Sequence, residues 1–376
     1  MRSLPNIKPS KGTASKDKKT TEFTLGRTQR NILEKLLVIC GRLESSDIGI
    51  IERKANELNV DFVREKRNSW IFIQQTIRER FDPGRHEGIL LIGSNKELPG
   101  TQISYEGAFA YTDWFFQDVD GDDLPDTPVG RIFGPLETIL YHLDPRIIDS
   151  NIAVIFDSQP GRSMRHVEGL TKLGFNVEIL KEFSQKYANL LSVSEFILQF
   201  SDGVFSSRIH GTPEKWASHN SDILTSVQTE QIQFEGYPVV YSEACSTAQE
   251  GPLLKAFLNQ GAAYIGATLD TLNNVEPFDE WQSCAYADGW KFGFLDLLDS
   301  RDTIGQVKIG VDREITANLG PGPAAEINAI RRGDTSVLRA DEAVSTIEWV
   351  LFGNPMRRST VGPNADYSPG RLMVDT

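Results

Sequence analysis

Short apolar segments alternate with segments of helical periodicity along most of this chain, and no other sequence feature constrains its fold as strongly. Residues 36–40, 88–93 and 152–156 are such apolar segments, and none of them contains a charged residue. A strand that is apolar on both faces is typical of a parallel sheet that helices cover on each side. The alternation therefore predicts an α/β fold with a mostly parallel sheet.

The alternation occurs twice, which predicts two α/β subdomains. We divide the chain into a disordered basic tail at 1–25, an N-terminal subdomain at 26–148, a catalytic subdomain at 149–358 and a C-terminal tail at 359–376. Within the second subdomain, the pattern favours a helix at 183–200 and strands at 203–209 and 237–244. The Pro- and Gly-rich segment 318–323 is typical of a loop.

Charge and cysteine content limit the partners and the compartment of the protein. The chain has 39 basic and 52 acidic residues, a net charge of −13, which disfavours binding to nucleic acid or to an anionic membrane. Three widely separated cysteines, Cys40, Cys245 and Cys284, predict no disulfide framework. The polar segment 1–21 has no apolar core typical of a signal peptide, and no apolar run has membrane-spanning length, so we expect a cytoplasmic protein.

Two predicted strands end at residues that can form a catalytic pair. The strand at 203–209 ends at His210 and Gly211, and the strand at 237–244 ends at Cys245, 35 residues after His210. The carboxyl ends of parallel strands meet at one edge of a sheet. An imidazole beside a thiol promotes the thiolate, and Gly211 allows a backbone N–H to approach a substrate carbonyl. We predict a Cys–His dyad; a buried, inert Cys245 and a structural His210 are the alternative.

The sequence around both residues resembles the clan of cysteine peptidases that contains caspases, legumain and gingipains, and most of all the gingipain-type family. An apolar segment that ends in His-Gly, followed by one that ends in a small residue and cysteine, is the signature of this clan. Residues 120–131 resemble the family's acidic turn and Val-Gly-Arg strand, and 261–268 its glycine-bracketed strand. Residues 351–355 resemble its closing Gly-Asp-Pro, with Asn354 in place of aspartate.

This resemblance implies a caspase-hemoglobinase-like three-layer sandwich and a cysteine endopeptidase that needs no cofactor. It also implies an acid that assists His210. The matching position is Asp126, for which a simple turn residue is the alternative. Gingipains are secreted, whereas this chain has no predicted export signal, so we expect an intracellular relative. An active endopeptidase in the cytoplasm needs control, which predicts a zymogen or a partner-gated enzyme, with processing sites at 16–19 or 162–165.

The substrate preference is predicted from acids near the nucleophile. Glu243 precedes Cys245 by two residues, so along a strand its side chain points to the same side as the thiol. A carboxylate there favours arginine or lysine before the cleaved bond, with asparagine as the second choice. Asp113 is a further acid for the substrate pocket. Trp216 is a candidate wall of the substrate site, with a core position as the alternative.

One acidic segment has the character of a metal site. Asp118, Asp120 and Asp122 alternate like the oxygen ligands of a calcium loop. The segment lacks the downstream glutamate of an EF-hand, so a solvated acidic turn is the competing interpretation. The histidines have no spacing typical of metal ligands, and we predict no other metal.

Together these features predict a cysteine endopeptidase that acts on protein substrates and has no nucleic-acid or membrane partner. Control by an activating protease or a regulatory protein suggests a role in stress, defence or cell-death signalling, by analogy with the family. The alternatives are a non-catalytic caspase-like interaction module and another cysteine-dependent amide hydrolase, such as an amidase.

Overall fold

The computed structural model describes residues 33–148, 150–156, 164–194, 196–199, 211–217, 222–269 and 303–358. Its strands are β1 (Leu36–Cys40), β2 (Asp61–Arg64), β3 (Gly88–Ile92), β4 (Thr101–Tyr105), β5 (Ala108–Thr112), β6 (Val129–Ile132), β7 (Ile152–Phe156), β8 (Asn176–Leu180), β9 (Phe196–Gln199), β10 (Gly211–Thr212), β11 (Lys215–Ala217), β12 (Asp222–Thr225), β13 (Val239–Ser242), β14 (Ala263–Ala267) and β15 (Trp349–Phe352). Its helices are α1 (Ser45–Glu57), α2 (Trp70–Arg80), α3 (Leu136–Leu143), α4 (Met164–Lys172), α5 (Ala188–Ser192), α6 (Ser226–Thr229), α7 (Pro252–Asn259), α8 (Ile304–Ala317), α9 (Pro321–Arg331) and α10 (Asp341–Ile347). Two short 3-10 helices span Trp114–Gln117 and Gln185–Tyr187.

In the described residues, ten strands form one sheet in the order β2-β1-β3-β6-β15-β14-β13-β9-β7-β8. Neighbouring strands are parallel, except that β14 and β15 are antiparallel. β15 meets β6 at one residue pair, Phe352 with Arg131. This pair joins the strands from the first part of the chain to those from the second. The predicted α/β class with a mostly parallel sheet is confirmed.

Successive residues of the central strands pack into different hydrophobic clusters, so helices cover both faces of the sheet. On β13, Val239 shares a cluster with α4 and α8, whereas Val240 shares one with α5 and α7. On β1, Val38 packs with α1 and α3, and Ile39 packs with α2. Burial on both faces explains why β1 carries apolar residues at every position and β13 at all but its last, Ser242.

The chain between residues 183 and 199 differs from the predicted long helix. A 3-10 turn and the short helix α5 form there, and the chain then enters β9. Phe196 is fully buried where β9 pairs with both β7 and β13. Periodicity alone cannot separate a short buried strand from a helix, and here pairing with two neighbouring strands decides. The predicted strand at 203–209 lies outside the described residues.

The predicted loop at 318–323 is wrong over its second half. Gly320 precedes α9, and Pro321 is the first residue of that helix. Proline suits this position because the first N–H of a helix has no intrahelical partner. The helices α9 and α10 then share a hydrophobic cluster with the hairpin β4–β5.

The predicted boundary between subdomains, at 148–149, falls between α3 and β7. Strands from both sides of it lie in the same ten-stranded sheet. The division into two subdomains therefore stays a prediction. Across the described ranges, no helix combines the length and the apolar character that crossing a membrane would require.

Candidate active site

Cys245 follows β13, a buried strand that pairs in parallel with β14 on one side and β9 on the other. The residue lies beyond the last residue of the strand, Ser242, and is 9% exposed. Its side chain therefore belongs to the turn at the carboxyl end of a central strand. This edge of a parallel sheet is where α/β proteins place their ligands and catalytic groups.

Hydroxyl groups and backbone bonds hold the turn around Cys245 in place. Thr247 Oγ1 donates to the carbonyl oxygen of Ala244 at 2.8 Å and lies 2.9 Å from Ser242 Oγ. The N–H of Ser246 donates to the carbonyl oxygen of Leu269, beyond β14, at 2.8 Å. Ser246 has a φ of 56°, a left-handed conformation that costs a non-glycine residue roughly 1–3 kcal/mol. Surrounding bonds thus maintain a strained turn directly after the cysteine.

Gly211 brings the segment that follows His210 into contact with the cysteine turn. A Cβ atom on Gly211 would lie 2.5 Å from Cβ of Ala244, 2.6 Å from the carbonyl oxygen of Cys245 and 2.6 Å from Cγ2 of Thr247. These distances leave no space for a side chain, so only glycine fits here. The Gly211 and Cys245 segments, which the sequence predicts to meet, touch at this point.

A second close approach joins the same two segments. A Cβ atom on Gly251, which precedes α7, would lie 2.4 Å from Cβ of Pro213. The N–H of Leu253 donates to the carbonyl oxygen of Pro213 at 2.9 Å. Residues 211–213 are therefore fixed against both ends of the chain between Cys245 and α7. His210 and Cys284 lie outside the described residues.

Two predicted substrate residues have different surroundings. Glu243 lies between β13 and Cys245 and is 3% exposed, so a buried carboxylate adjoins the cysteine turn. Trp216, on β11, is fully buried: its Nε1 donates to the hydroxyl of Tyr264 at 3.2 Å, and its ring packs against Phe257. Its burial fits the alternative of a core position, and the predicted role of Trp216 as a wall of the substrate site stays a prediction.

Asp113 is engaged in a buried ion pair. Its two carboxylate oxygens accept from Nε and Nη2 of Arg131 at 2.7 and 2.6 Å. Nη1 of Arg131 donates to the carbonyl oxygens of Gly93 and Leu98, each at 2.7 Å. The two-point contact neutralises the carboxylate and fixes it against β6. The carboxylate is thus already paired with Arg131, and the predicted substrate-binding role of Asp113 stays a prediction.

Asp126 lies in the acidic loop that precedes β6. Its Oδ1 is 3.7 Å from Nη2 of Arg313, and its N–H donates to the carbonyl oxygen of Gln117 at 2.9 Å. Burial, together with the charges of Asp120 and Asp122, raises the pKa of the Asp126 carboxyl. No contact among the described residues joins Asp126 to the cysteine turn, and its assistance to His210 stays a prediction.

The acidic loop brings four carboxylates together. Ligand oxygens of Asp118, Asp120, Asp122 and Asp126 all lie within 4.8 Å of one another. Hard oxygen ligands suit calcium, and the structure adds Asp126 to the three predicted residues. Arg78 pairs with Asp118 at 2.8 Å, so one carboxylate is already partly neutralised. Calcium binding stays a prediction for this loop.

Cys40 shows what a structural cysteine looks like in this fold. It is the last residue of β1, is fully buried, and its thiol lies 3.7 Å from the carbonyl oxygen of Gly41. Burial raises the pKa of the Cys40 thiol to about 12. Because the thiolate is the reactive form, this residue cannot serve as a nucleophile near neutral pH.

The sequence interpretation missed a link between the cysteine turn and the first part of the sheet. Glu250, which follows Cys245 on the way to α7, accepts from the N–H and from Nδ2 of Asn95 at 2.6 and 2.9 Å. Asn95 follows β3, and 155 positions separate the two residues. Burial raises the pKa of the Glu250 carboxyl. A contact over such a distance leaves no signal in a single sequence.

Comparison with known proteins adds no family to these observations. No family model matches the chain, and no curated protein matches it. Among solved structures, it is similar to a protein described as a D-3-phosphoglycerate dehydrogenase oxidoreductase from Ralstonia solanacearum, at 10% identity. That similarity covers 82% of this chain and 98% of the other, with a TM-score of 0.22.

Proposed function

We propose that this protein is a cysteine endopeptidase of the caspase-like kind, with Cys245 as nucleophile and His210 as acid–base partner. The observation that carries the proposal is the packing of Gly211 against Ala244, Cys245 and Thr247. Neighbouring Cα atoms are about 3.8 Å apart, so a residue beside Gly211 in the chain can reach the turn that holds Cys245. The fold proposed with this activity is a caspase-hemoglobinase-like three-layer sandwich.

The strained turn supports the same assignment. The chain leaves β13, passes Cys245 and adopts a left-handed φ of 56° at Ser246. Hydrolases of other folds also present their nucleophile on a sharp, strained turn after a strand. Backbone strain of this kind clusters at functional sites, where it keeps reactive groups in position.

The proposed reaction follows from the groups at this edge of the sheet. His210 accepts the thiol proton, and the thiolate of Cys245 attacks the substrate carbonyl carbon. The N–H groups of Gly211 and Cys245 stabilise the oxyanion. His210 then protonates the leaving amine, and water hydrolyses the thioester to release the acid and restore the thiol.

The substrate class rests on Glu243. A buried carboxylate beside the nucleophile attracts a cationic side chain, so we propose cleavage after arginine or lysine. Asparagine is the second choice because it can hydrogen-bond to the carboxylate. The proposed cellular setting is the cytoplasm, with a zymogen or a regulatory partner controlling access to protein substrates in stress, defence or cell-death signalling.

The decisive experiment is labelling of the full chain with a peptidyl acyloxymethyl ketone that carries arginine next to the reactive group. We expect labelling of wild type, and loss of labelling in Cys245→Ala and in His210→Ala. Cys40→Ala is the matched control and retains labelling, because Cys40 is buried in β1. Labelling that persists in Cys245→Ala would refute the proposal.

The same variants separate the alternatives. A non-catalytic interaction module gives no labelling with any peptidyl probe, whereas an amidase is labelled but leaves protein substrates intact. A set of peptides that differ only in the residue before the cleaved bond tests the role of Glu243. Preference for aspartate would contradict the proposed basic specificity, and Glu243→Gln should reduce cleavage after arginine about tenfold or more.

The acidic loop motivates a separate calcium proposal. We infer that Asp118, Asp120, Asp122 and Asp126 can hold one calcium ion, because their oxygens converge within 4.8 Å. Calcium would then neutralise the loop and raise the thermal unfolding temperature, an effect that magnesium should reproduce poorly. Equal unfolding temperatures with calcium and with a chelator would rule the ion out.

A further inference from the structure

A concave site lies at the carboxyl ends of β1 and β3, in a part of the molecule that the proposed catalysis does not use. It is a cavity of about 720 Å³, within the range of small-molecule sites. Arg42, which follows β1, lines one part of it, and Asn95 and Lys96, which follow β3, line another. Ser69 and Trp70, at the start of α2, also line the cavity.

The position of the cavity in the sheet is the one that α/β folds use for ligands. From β1 the chain continues to β2 on one side, and from β3 it continues through the hairpin β4–β5 to β6 on the other. The connections therefore leave β1 and β3 in opposite directions and open a crevice between them. Arg42 spans this crevice: its Nη2 donates to Asn68 Oδ1 at 2.6 Å and to the carbonyl oxygen of Lys96 at 2.7 Å.

The cavity is cationic in a chain whose net charge is −13. Its lining contains Arg42 and Lys96 but no aspartate or glutamate. Among the ion pairs of the described residues, neither of these two side chains has a carboxylate partner. Two exposed cations without a counter-ion, facing the same cavity, attract an anion.

Three acids lie near the cavity, but they bond to other groups and do not neutralise Arg42 and Lys96. Glu97 accepts from the N–H of Ser94 at 2.8 Å, and Glu250 accepts from Asn95. Asp113 pairs with Arg131. The charge that faces the cavity is therefore positive.

Two features add to the cations. Ser69 precedes α2, an 11-residue helix, and its side chain makes no capping hydrogen bond, so the first N–H groups of the helix remain as donors beside the cavity. The lining also includes Tyr111, which is 42% exposed on β5, and the partly buried Trp70. Aromatic side chains that line a cavity suit a planar ring.

We propose that this crevice binds a small organic anion that carries a phosphate group and a planar ring. Arg42, Lys96 and the start of α2 contact the phosphate, and Trp70 and Tyr111 contact the ring. The site differs from a glycine-rich phosphate loop, which the sequence lacks, because side-chain cations supply most of the contacts. The inference does not depend on peptidase activity.

Isothermal titration of the intact chain tests the site with adenosine diphosphate, pyridoxal 5′-phosphate and inorganic phosphate as probes. We expect a Kd at or below about 1 mM for at least one ring phosphate, and weaker binding of inorganic phosphate. Arg42→Ala and Lys96→Ala should each weaken binding about tenfold or more, because each removes a charge-assisted hydrogen bond. Tyr111→Ala should weaken the ring compounds and leave inorganic phosphate unchanged.

Arg53→Ala is the matched control, since Arg53 is an exposed arginine of α1 outside the cavity. It should leave every affinity unchanged. If Arg42→Ala fails to fold, the affinities of Lys96→Ala test the proposal. This variant should fold, because the Lys96 side chain makes no hydrogen bond in the described residues. Absence of binding by all three probes, equal affinities in wild type and Lys96→Ala, or binding of an oligoglutamate peptide in place of the ring phosphates would each overturn the proposal.

Discussion

The turns after β1 and after β13 contain similar residues and differ in how they end a strand. Both follow buried parallel strands, a cysteine lies at or just beyond the end of each strand, and each region includes a close contact for which only glycine has space. Cys40 is still part of β1, and the strand pairing continues beyond it: the N–H of Gly41 donates to the carbonyl oxygen of Ile92 at 2.8 Å. Cys245 lies beyond the end of β13, in a turn that combines internal hydrogen bonds with bonds to β14 and the chain after it.

The comparison shows that the two cysteines differ in their position relative to the end of the strand. Inside the sheet, the side chain of Cys40 is buried in a hydrophobic cluster, and its thiol pKa rises to about 12. A turn leaves the sulfur at the edge of the sheet, where a second segment can approach. The glycines differ in the same way: Gly41 presses against Glu97 in a structural loop, whereas Gly211 presses against the cysteine turn.

The largest expected difference between the two turns is in alkylation. At pH 8, a thiol with a pKa of about 12 is roughly one ten-thousandth thiolate, so Cys40 should react with iodoacetamide at least about a thousandfold more slowly than an unperturbed thiol. Its rate should rise with pH up to about 12, as the thiolate forms. Peptide mapping after timed alkylation measures the rates at Cys40 and Cys245. Similar rates would show that the two cysteines do not differ in reactivity.

Gly211→Ala should give the next largest effect. Its Cβ would lie 2.5 Å from Cβ of Ala244, so the cysteine turn must shift. We expect the free energy of unfolding to fall by about 1–3 kcal/mol and probe labelling to fall about a hundredfold. Thermal unfolding and labelling rates provide the two measurements.

Two matched glycines complete that test. Gly41→Ala should lower stability by a similar amount, because its Cβ would lie 2.6 Å from the carbonyl oxygen of Glu97, yet the folded variant should still be labelled. Gly49→Ala, on α1, meets nothing within 4 Å and should be neutral or stabilising. Equal labelling of the Gly211 and Gly41 variants would show that Gly211 does not affect the reactivity of Cys245 more than Gly41 does.

Asn95→Ala tests the link between the two parts of the sheet. The change removes the Nδ2 donor to Glu250 and the Oδ1 acceptor for the N–H of Gly100. We expect a loss of about 1–2 kcal/mol in the free energy of unfolding and a change of only a few-fold in labelling. Asn56→Ala, an exposed change on α1, is the control for denaturant unfolding. No loss of stability would mean that the loops are held together by other contacts.

Asp126→Asn should have the smallest effect on stability. The pKa of this carboxyl is raised in the folded protein, so its ionised form is disfavoured there relative to the unfolded chain. The variant should therefore be more stable at neutral pH, by less than about 1 kcal/mol. This gain should disappear as pH falls through the raised pKa toward the ordinary value of 3.8.

The same variant tests the proposed assistance of Asp126 to His210. Urea unfolding at several pH values gives the stability, and the labelling rate gives the catalytic effect. Greater stability with unchanged labelling would assign Asp126 to the acidic loop alone. A large fall in labelling together with greater stability would support the catalytic role.

Much of the architecture could be predicted from local patterns. Strands at Leu36–Cys40 and Ile152–Phe156 have the predicted bounds, because runs of apolar residues between turn-forming segments suit a strand that is buried on both faces. The predictions failed at β9, because the strand is short, and at Pro321, because a proline can belong to a loop or begin a helix.

In the candidate site, too, local features could be predicted from the sequence and contacts between distant segments could not. Residue type and order are enough to predict that a cysteine follows a buried strand, that a glycine follows a histidine, and that acids cluster before β6. The folded arrangement alone shows that Asp113 is neutralised by Arg131, that Trp216 is core, and that Gly211 contacts the cysteine turn. Those contacts form between segments that are tens of residues apart and that exclude water from one another. Local propensity does not predict which distant segments will pack together.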